Sequence, residues 1–219
     1  MPSSPQLSAS DKALFWDRAA RKYAASPICD LPGYEKTLAR VQGLLAPHLH
    51  VLELGCGTGS TALRLASGTA SYLATDVSAE MIAIAQAKQL ALPPAPLRFA
   101  QADAETLPAK EPGYDIVLAF NLLHLMHDLD KTLQSLLRLL KPGGLLISKT
   151  ACLNEMNPLI PRLALPLMRM LGKAPLVQCF DAQQLCQRME QQGFAIEALE
   201  RHGSKRRDWR AFIVARRPL

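Results

Sequence analysis

Short apolar runs alternate with amphipathic stretches along most of this chain. "HVLELG", "SYLATD", "PLRFAQAD", "YDIVLAF" and "GLLISKT" read as five strands, from His50 to Thr150. The fourth is nearly continuous in apolar residues, as parallel strands buried on both faces tend to be. Between them lie helical patterns. "STALRLAS" opens directly behind the first strand's turn, and "SAEMIAIAQAKQL" has Ser78 as its N-cap. In "DLDKTLQSLLRLLKPGG", Leu129, Leu133, Leu136, Leu137 and Leu140 form one stripe, with Asp128 as cap and Pro142-Gly143-Gly144 as stop. Two further helices precede the strands. One runs from Ser10 to about Ala25, capped by Ser10 or Asp11; the other spans about Tyr34 to Leu45, with Pro32-Gly33 before it and Pro47 after it.

After the fifth strand the rhythm breaks over residues 153–176. A helix near Ala182–Gln192 follows, then two strands, "FAIEALER" and "WRAFIVAR", joined by "HGSKRRD". That link is too short for a crossover helix, so the last two strands must pair antiparallel. The pattern predicts an α/β, Rossmann-like doubly wound sheet of seven strands, mostly parallel with an antiparallel C-terminal hairpin and helices on both faces. Residues 1–48 are expected to form an N-terminal helical cap segment, and 49–219 one domain with a lid insertion at about 153–176.

With 219 residues the chain suits one domain with a proper core. Its 49% hydrophobic and 20% charged composition excludes a disordered class. No secretory leader and no run of the ~20 apolar residues a membrane span needs is visible, so a cytoplasmic protein is expected. Cys29, Cys56, Cys152, Cys179 and Cys186 lack any CxxC spacing, which argues against disulfides and against a zinc site; no metal is expected. The net charge of +6 is concentrated in Arg201 to Arg217. Such a cluster attracts nucleic acid or forms a solvated rim, and the rim is the commoner outcome.

Candidate chemistry centres on "VLELGCGTGS", Val51 to Ser60. In an open α/β sheet, ligands sit where the first strand turns into the first helix. Gly55 and Gly57 permit a tight turn and close approach of a ligand. The loop alone is ambiguous, since a dinucleotide fingerprint also begins GxG. Here, however, the third glycine comes early, at Gly59, and Ser60 holds the position that a dinucleotide site reserves for glycine. Glu53, at the strand end, would repel a pyrophosphate and attract an ammonium group. Asp76 ends the second strand, where a carboxylate can accept both ribose hydroxyls. Asp103-Ala104 follows the third, where an acid beside a small residue can meet an adenine edge. An amino-acid head, a ribose and an adenine without phosphate describe S-adenosylmethionine.

From these motifs the chain resembles the class I S-adenosylmethionine-dependent methyltransferases, over most of Val51 to Pro218. "VLELGCGTG", "ATDVS", "QADAETLP", "YDIVLAFNLLHL" and "LLKPGGLLIS" are similar to the family's successive motifs, and the layout is similar to its ubiquinone/menaquinone branch. The resemblance implies that Glu53 and the backbone of Gly55, Cys56 and Gly57 hold the methionine part, and that Asp76 binds the ribose. It further implies that Val77 and Met81 pack on adenine, that Asp103 and Ala104 bracket its edge, and that Asn121 lines the pocket near the methyl. Met81 serves equally well as core. Tyr23, on the N-terminal helix, is the expected aromatic at the methionine end, with Trp16 as core. His124 is the candidate general base or a wall of the acceptor pocket; His127, three residues on, could share a helical face with it.

The implied activity is methyl transfer by direct displacement to a small, apolar acceptor, in which alignment of the reactants supplies much of the rate. The Leu- and Met-rich insertion, broken by Pro158, Pro161 and Pro166 and carrying Arg162, Arg169 and Lys173, suggests a lid over a hydrophobic acceptor or a peripheral contact with an anionic membrane. Two alternatives stand beside this reading. One is an RNA or protein methyltransferase using the basic hairpin, although "NLLH" stands where base-amine methyltransferases carry [DNS]PP[YFW]. The other is a non-catalytic S-adenosylmethionine-binding protein.

Overall fold

The computed structural model describes residues 9–108, 113–156, 177–204 and 208–219. Seven strands form one sheet: β1 (His50–Leu54), β2 (Ser71–Asp76), β3 (Leu97–Gln101), β4 (Tyr114–Phe120), β5 (Leu140–Ala151), β6 (Ala195–Arg201) and β7 (Arg210–Arg216). Their spatial order is β3-β2-β1-β4-β5-β7-β6. β1 to β5 pair in parallel, while β7 is antiparallel to both β5 and β6. β7 therefore runs against all six others, as the short final link requires.

Side-chain alternation divides the core into two layers. Val51, Ile116, Leu118, Ile147 and Phe212 face α2 (Leu31–Gln42), α3 (Ala62–Leu65) and α4 (Ala79–Gln89). Leu52, Leu54, Val117, Leu146 and Ile213 face α5 (Leu129–Leu139) and the helix Ala182–Gln191, α6 here. The stripe expected on α5 is buried at Leu129, Leu133 and Leu136, and Asp128 caps the helix through Lys131 N.

Four boundaries differ from the sequence pattern. α2 begins at Leu31, ahead of Pro32-Gly33, because Asp30 caps it through Gly33 N and proline fits the first turn. It ends at Gln42, short of Leu45. The helix after the glycine loop is a single turn, α3, followed by a 3-10 turn at Ala66–Gly68. The Pro142-Gly143-Gly144 stop lies inside β5, in a bulge between the Tyr114↔Leu140 and Ile116↔Leu145 pairs. Of the expected lid, residues 157–176 lie outside the described residues; the turn Leu153–Glu155 precedes them.

α2 is tied to the sheet by polar contacts as well as by Leu38 and Val41. Buried Lys149 donates to Thr37 Oγ1 at 2.7 Å and to the Gly33 carbonyl at 3.3 Å. Thr37 Oγ1 lies 3.0 Å from His202 Nδ1, and His202 Nε2 lies 2.9 Å from Glu200. The His202 ring stacks on Phe212 with centroids 4.3 Å apart. The first helix, α1 (Ala9–Ala25), packs chiefly on α4, and Ala20 is its one fully buried side chain among those described. Polar clasps hold α1 instead: Asp17 accepts from Ser78 Oγ at 2.6 Å and from Glu80 N at 3.2 Å, and Lys12 pairs with Glu105 and with Asp103.

Candidate functional site

The glycine loop leaves the carboxyl end of β1 and is pinned to β2 at two points. Cys56 N donates to the Thr75 carbonyl at 2.9 Å, and Gly57 N donates to Asp76 Oδ2 at 2.9 Å. Gly55 and Gly57 adopt φ of +64° and +54°, conformations that a side chain disfavours. Their surroundings differ. A Cβ at Gly55 would lie 2.7 Å from Leu122 Cδ1, whereas one at Gly57 would meet only the Tyr23 ring, at 3.7 Å. Gly57 thus presents bare backbone to open space beneath Tyr23. Gly59, at φ +76°, is bare for packing as well as for its backbone: a Cβ there would sit 2.7 Å from Phe99 Cζ and 2.8 Å from Ala85 Cβ. Gly59→Ala should therefore cost ~1–3 kcal/mol by overpacking, read as a lower thermal midpoint, with cofactor affinity of the folded protein nearly unchanged.

Acids flank this bare segment. Glu53, 2% exposed, accepts a hydrogen bond from Tyr72 Oη at 2.7 Å. Burial pushes its carboxyl up to about 7, against the Tyr72 bond that lowers it, and the neighbouring Asp76 charge adds to the rise. Asp76 also accepts from Ser78 N at 2.9 Å; burial raises its pKa, opposed by the Ser78 and Gly57 amides. Each Asp76 oxygen keeps a further lone pair for a hydroxyl donor. Among the described residues neither carboxylate has a cationic partner within ion-pair distance. Tyr23 is half exposed, and its phenol pKa is raised by burial and then by the Asp76 and Glu53 charges. Tyr23, Glu53, Gly57 and Asp76 are thus gathered around one space that suits a cation beside a diol and disfavours a phosphate.

Beyond Asp76, Ser78 caps α4 through Met81 N, and Met81 is 2% exposed. The Val77 carbonyl accepts from Gln101 Nε2. Asp103 accepts from Glu105 N, and Ala104 is buried in the α5 layer. The Cys56 thiol also turns into the core; burial raises its pKa far beyond the reactive range, leaving its backbone for a ligand. Past β4, Asn121 has φ +51° and donates its N–H to the Lys149 carbonyl at 2.7 Å, a strained turn for a non-glycine residue. This turn sends Leu122 over Gly55 and places His124 on a 3-10 turn, Leu123–Leu125. That turn ends before His127, so the two histidines do not share a helical face. Burial lowers the His124 pKa to about 4, so its imidazole is neutral at pH 7, and its Nδ1 is buried without a hydrogen-bond partner.

Several contacts escaped the sequence pattern. Tyr72 sits two positions from Ala74, the register partner of Glu53, so the pairing of β1 with β2 would have revealed it. Lys88 donates to Thr58 Oγ1 at 2.9 Å and to the Thr58 carbonyl at 3.1 Å, bracing the glycine loop from α4. Asp17 and Lys12 carry no local signal. Of the basic tail, Lys205, Arg206 and Arg207 lie outside the described residues; among those described, Arg201 pairs with Glu155, Arg210 with Asp30 and Asp208, and Arg216 with Glu197, while Arg217 donates to the Leu137 and Leu140 carbonyls. Among the described residues no group of three or more His, Cys, Asp or Glu is placed to hold a metal, and no helix is long and apolar enough to cross a membrane.

Known proteins resemble the chain in sequence and in fold. Residues 51–144 match the family described as a methyltransferase domain. A hybrid PKS-NRPS synthetase, buaA of Petromyces alliaceus, is 35% identical over 142 residues, covering 61% of this chain and 4% of that protein. The chain thus spans a small fraction of this curated relative. Magnesium protoporphyrin IX methyltransferase from Synechocystis, solved with bound SAH, superposes with a TM-score of 0.71 at 20% identity, covering 95% of this chain and 99% of that one. The [4+2]-cyclase SpnF superposes with a TM-score of 0.72 at 22% identity, covering 100% and 98%. Both structures share the fold, and the family match spans the glycine loop, Asp76, Asp103 and β4. Residues 51–144 thus match a methyltransferase domain, carried on a fold that the chain shares with known methyltransferases.

Proposed function

We propose that the chain transfers a methyl group from S-adenosylmethionine to a small, largely apolar acceptor. The observation that carries this reading is the buried, cation-free pair Glu53 and Asp76 on either side of the bare Gly57 backbone. Glu53 holds the ammonium of the methionine part, with Tyr23 above it, and Asp76 takes the ribose hydroxyls. Val77 and Met81 bound the adenine, whose edge meets Asp103 and the backbone of Ala104. The cofactor supplies an activated methyl on a sulfonium, so the chain's part is alignment and exclusion of water. Asn121 and His124, past β4, line the methyl-transfer side. A neutral imidazole at His124 can accept a proton from the acceptor at neutral pH.

Relatives of the chain are named as polyketide synthases, which supports a small-molecule acceptor. The ion-paired arginines of the tail weigh against the nucleic-acid alternative, because paired charges attract phosphates weakly. The fold also hosts a cyclase, so cofactor binding and methyl transfer need separate tests. Calorimetric titration should show micromolar binding of S-adenosylmethionine and S-adenosylhomocysteine and none of NAD. Binding of NAD alone would overturn the assignment of Glu53. Mass spectrometry of an acceptor panel of ketones, phenols and quinones with the labelled methyl donor then reads the transfer itself.

A further inference from the structure

Glu105 touches three parts of the molecule with one side chain. Its Oε1 accepts from His127 N at 2.9 Å and from Asp128 N at 3.3 Å, in the stretch that leads from the His124 turn into α5. Its Oε2 accepts from Lys12 Nζ, on α1. Its own N–H donates to Asp103 Oδ1 at 3.0 Å, and Thr106 N donates to the Asp103 carbonyl at 3.2 Å. These last two bonds fold the chain after β3 into a tight turn that keeps both carboxylates near one ammonium. Lys12 Nζ lies 3.6 Å from Asp103 Oδ2 as well.

Lys12 thus stands between two acids that would otherwise repel each other. Side-chain exposures of 20% for Lys12, 12% for Asp103 and 15% for Glu105 spare this pairing the screening that weakens most surface ion pairs. With Lys12 in place, Glu105 Oε2 is held and Oε1 is kept on the His127 and Asp128 amides. With Lys12 withdrawn, the Asp103 charge pushes on Glu105, and its carboxylate is free to rotate off those amides. The other side of the same stretch is fixed independently of α1. Gln178 N donates to the His124 carbonyl at 2.7 Å, and Gln178 Nε2 donates to the His127 carbonyl at 2.9 Å. Glu105 supplies the opposing support, and that support answers to α1.

We propose that Glu105 is a positioning residue that couples docking of α1 to the placement of His124, through Lys12 on one carboxylate oxygen and the His127 and Asp128 amides on the other. The coupling is reciprocal: the factor by which a docked α1 steadies the turn is the factor by which a steadied turn holds α1. On the methyltransferase reading above, on which this rests, Asp103 meets the adenine edge and His124 lines the methyl-transfer side. Cofactor lying against Asp103 and beneath Tyr23 then favours a docked α1 and a set His124 together, so the acceptor binds best to the loaded chain.

Hydrogen exchange at single amides, followed by NMR on the full chain, tests the coupling first without ligand. Lys12→Met keeps an apolar stem and removes the charge. It should speed exchange of the His127 and Asp128 amides about fivefold, although Lys12 touches neither. Glu105→Gln keeps an oxygen for both amides and loses the ion pair, so it should match Lys12→Met. Glu105→Ala should speed the same amides further, and adding Lys12→Met to it should change them no more. The β4 amides report global stability and should stay within about twofold of wild type. Wild-type rates at His127 and Asp128 in Lys12→Met, additive effects in the double variant, or equal acceleration in β4 would each overturn the coupling. In wild type, S-adenosylhomocysteine should then slow α1 and the two turn amides together; slowing confined to one of them would overturn it too. If S-adenosylhomocysteine does not bind, the cofactor reading falls, while the ligand-free rates still decide the coupling.

Discussion

Asp76→Ala should weaken S-adenosylhomocysteine binding by a hundredfold or more. Two effects combine. The ribose loses a carboxylate acceptor, and hydrogen bonds to a charged group are worth about 1.5–3 kcal/mol each, with every ~1.4 kcal/mol counting tenfold in affinity. The loop loses its tether as well, because Asp76 Oδ2 holds Gly57 N and Oδ1 holds Ser78 N. Without that clamp the bare Gly57 backbone no longer faces Tyr23 in one fixed conformation. Asp76→Asn separates the contributions. An amide oxygen can still accept one of the two backbone bonds, so its thermal midpoint should lie between wild type and Asp76→Ala. Its affinity should likewise lie between the two, since it keeps part of the tether but loses the charge. Calorimetry and thermal melts on the two variants read this directly, and unchanged affinity in Asp76→Ala would mean that the ribose lies elsewhere.

The strand and helix alternation was legible because each element announces itself locally. β4 is a run of apolar residues, α5 has a one-sided leucine stripe, and the link between β6 and β7 is too short for anything but a hairpin. Glu53, Asp76 and Asp103 were legible for a related reason: strand ends in this topology all point at one crevice, so acids at those ends share a site. What escaped depends on distant partners. Pro32 looks like a helix boundary until the Asp30 carboxylate is seen capping the turn that contains it. His202 has no sequence context, because its partners Thr37 and Phe212 are brought in by the packing of α2 on β7. Lys12 and Asp17 read as ordinary helix surface until α1 lies along α4 and reaches Asp103 and Ser78.

The same distinction bears on α1. Its burial is slight, and its hold on the site is through charges at Lys12 and Asp17 rather than through a core. Elements attached this way open at low cost. An enzyme that must admit and release its cofactor each turnover gains from such an attachment, and Tyr23 rides on this helix directly over Gly57.

Glu53→Gln should make the ligand-free protein more stable and the cofactor weaker, a pairing that a purely structural glutamate would not produce. In the unfolded chain the carboxyl titrates at its ordinary 4.5, and in the fold at about 7. Between those values the native state binds more protons than the unfolded one, so stability falls as pH rises through the interval and is flat above it. Keeping the ionised group buried at neutral pH costs ~3 kcal/mol. Glutamine keeps an oxygen for the Tyr72 hydroxyl and carries no charge, so the variant should regain much of that at pH 8, seen as a midpoint higher by ~2–4 °C per kcal/mol. A cationic ligand reverses the balance, because an ammonium beside Glu53 stabilises its ionised form. Wild-type affinity for S-adenosylhomocysteine should therefore be level above pH 7 and fall towards tenfold per pH unit below it. Glu53→Gln should bind weakly and without that slope. A wild-type affinity flat from pH 5.5 to 8 would show that the ammonium is held by something other than this carboxylate.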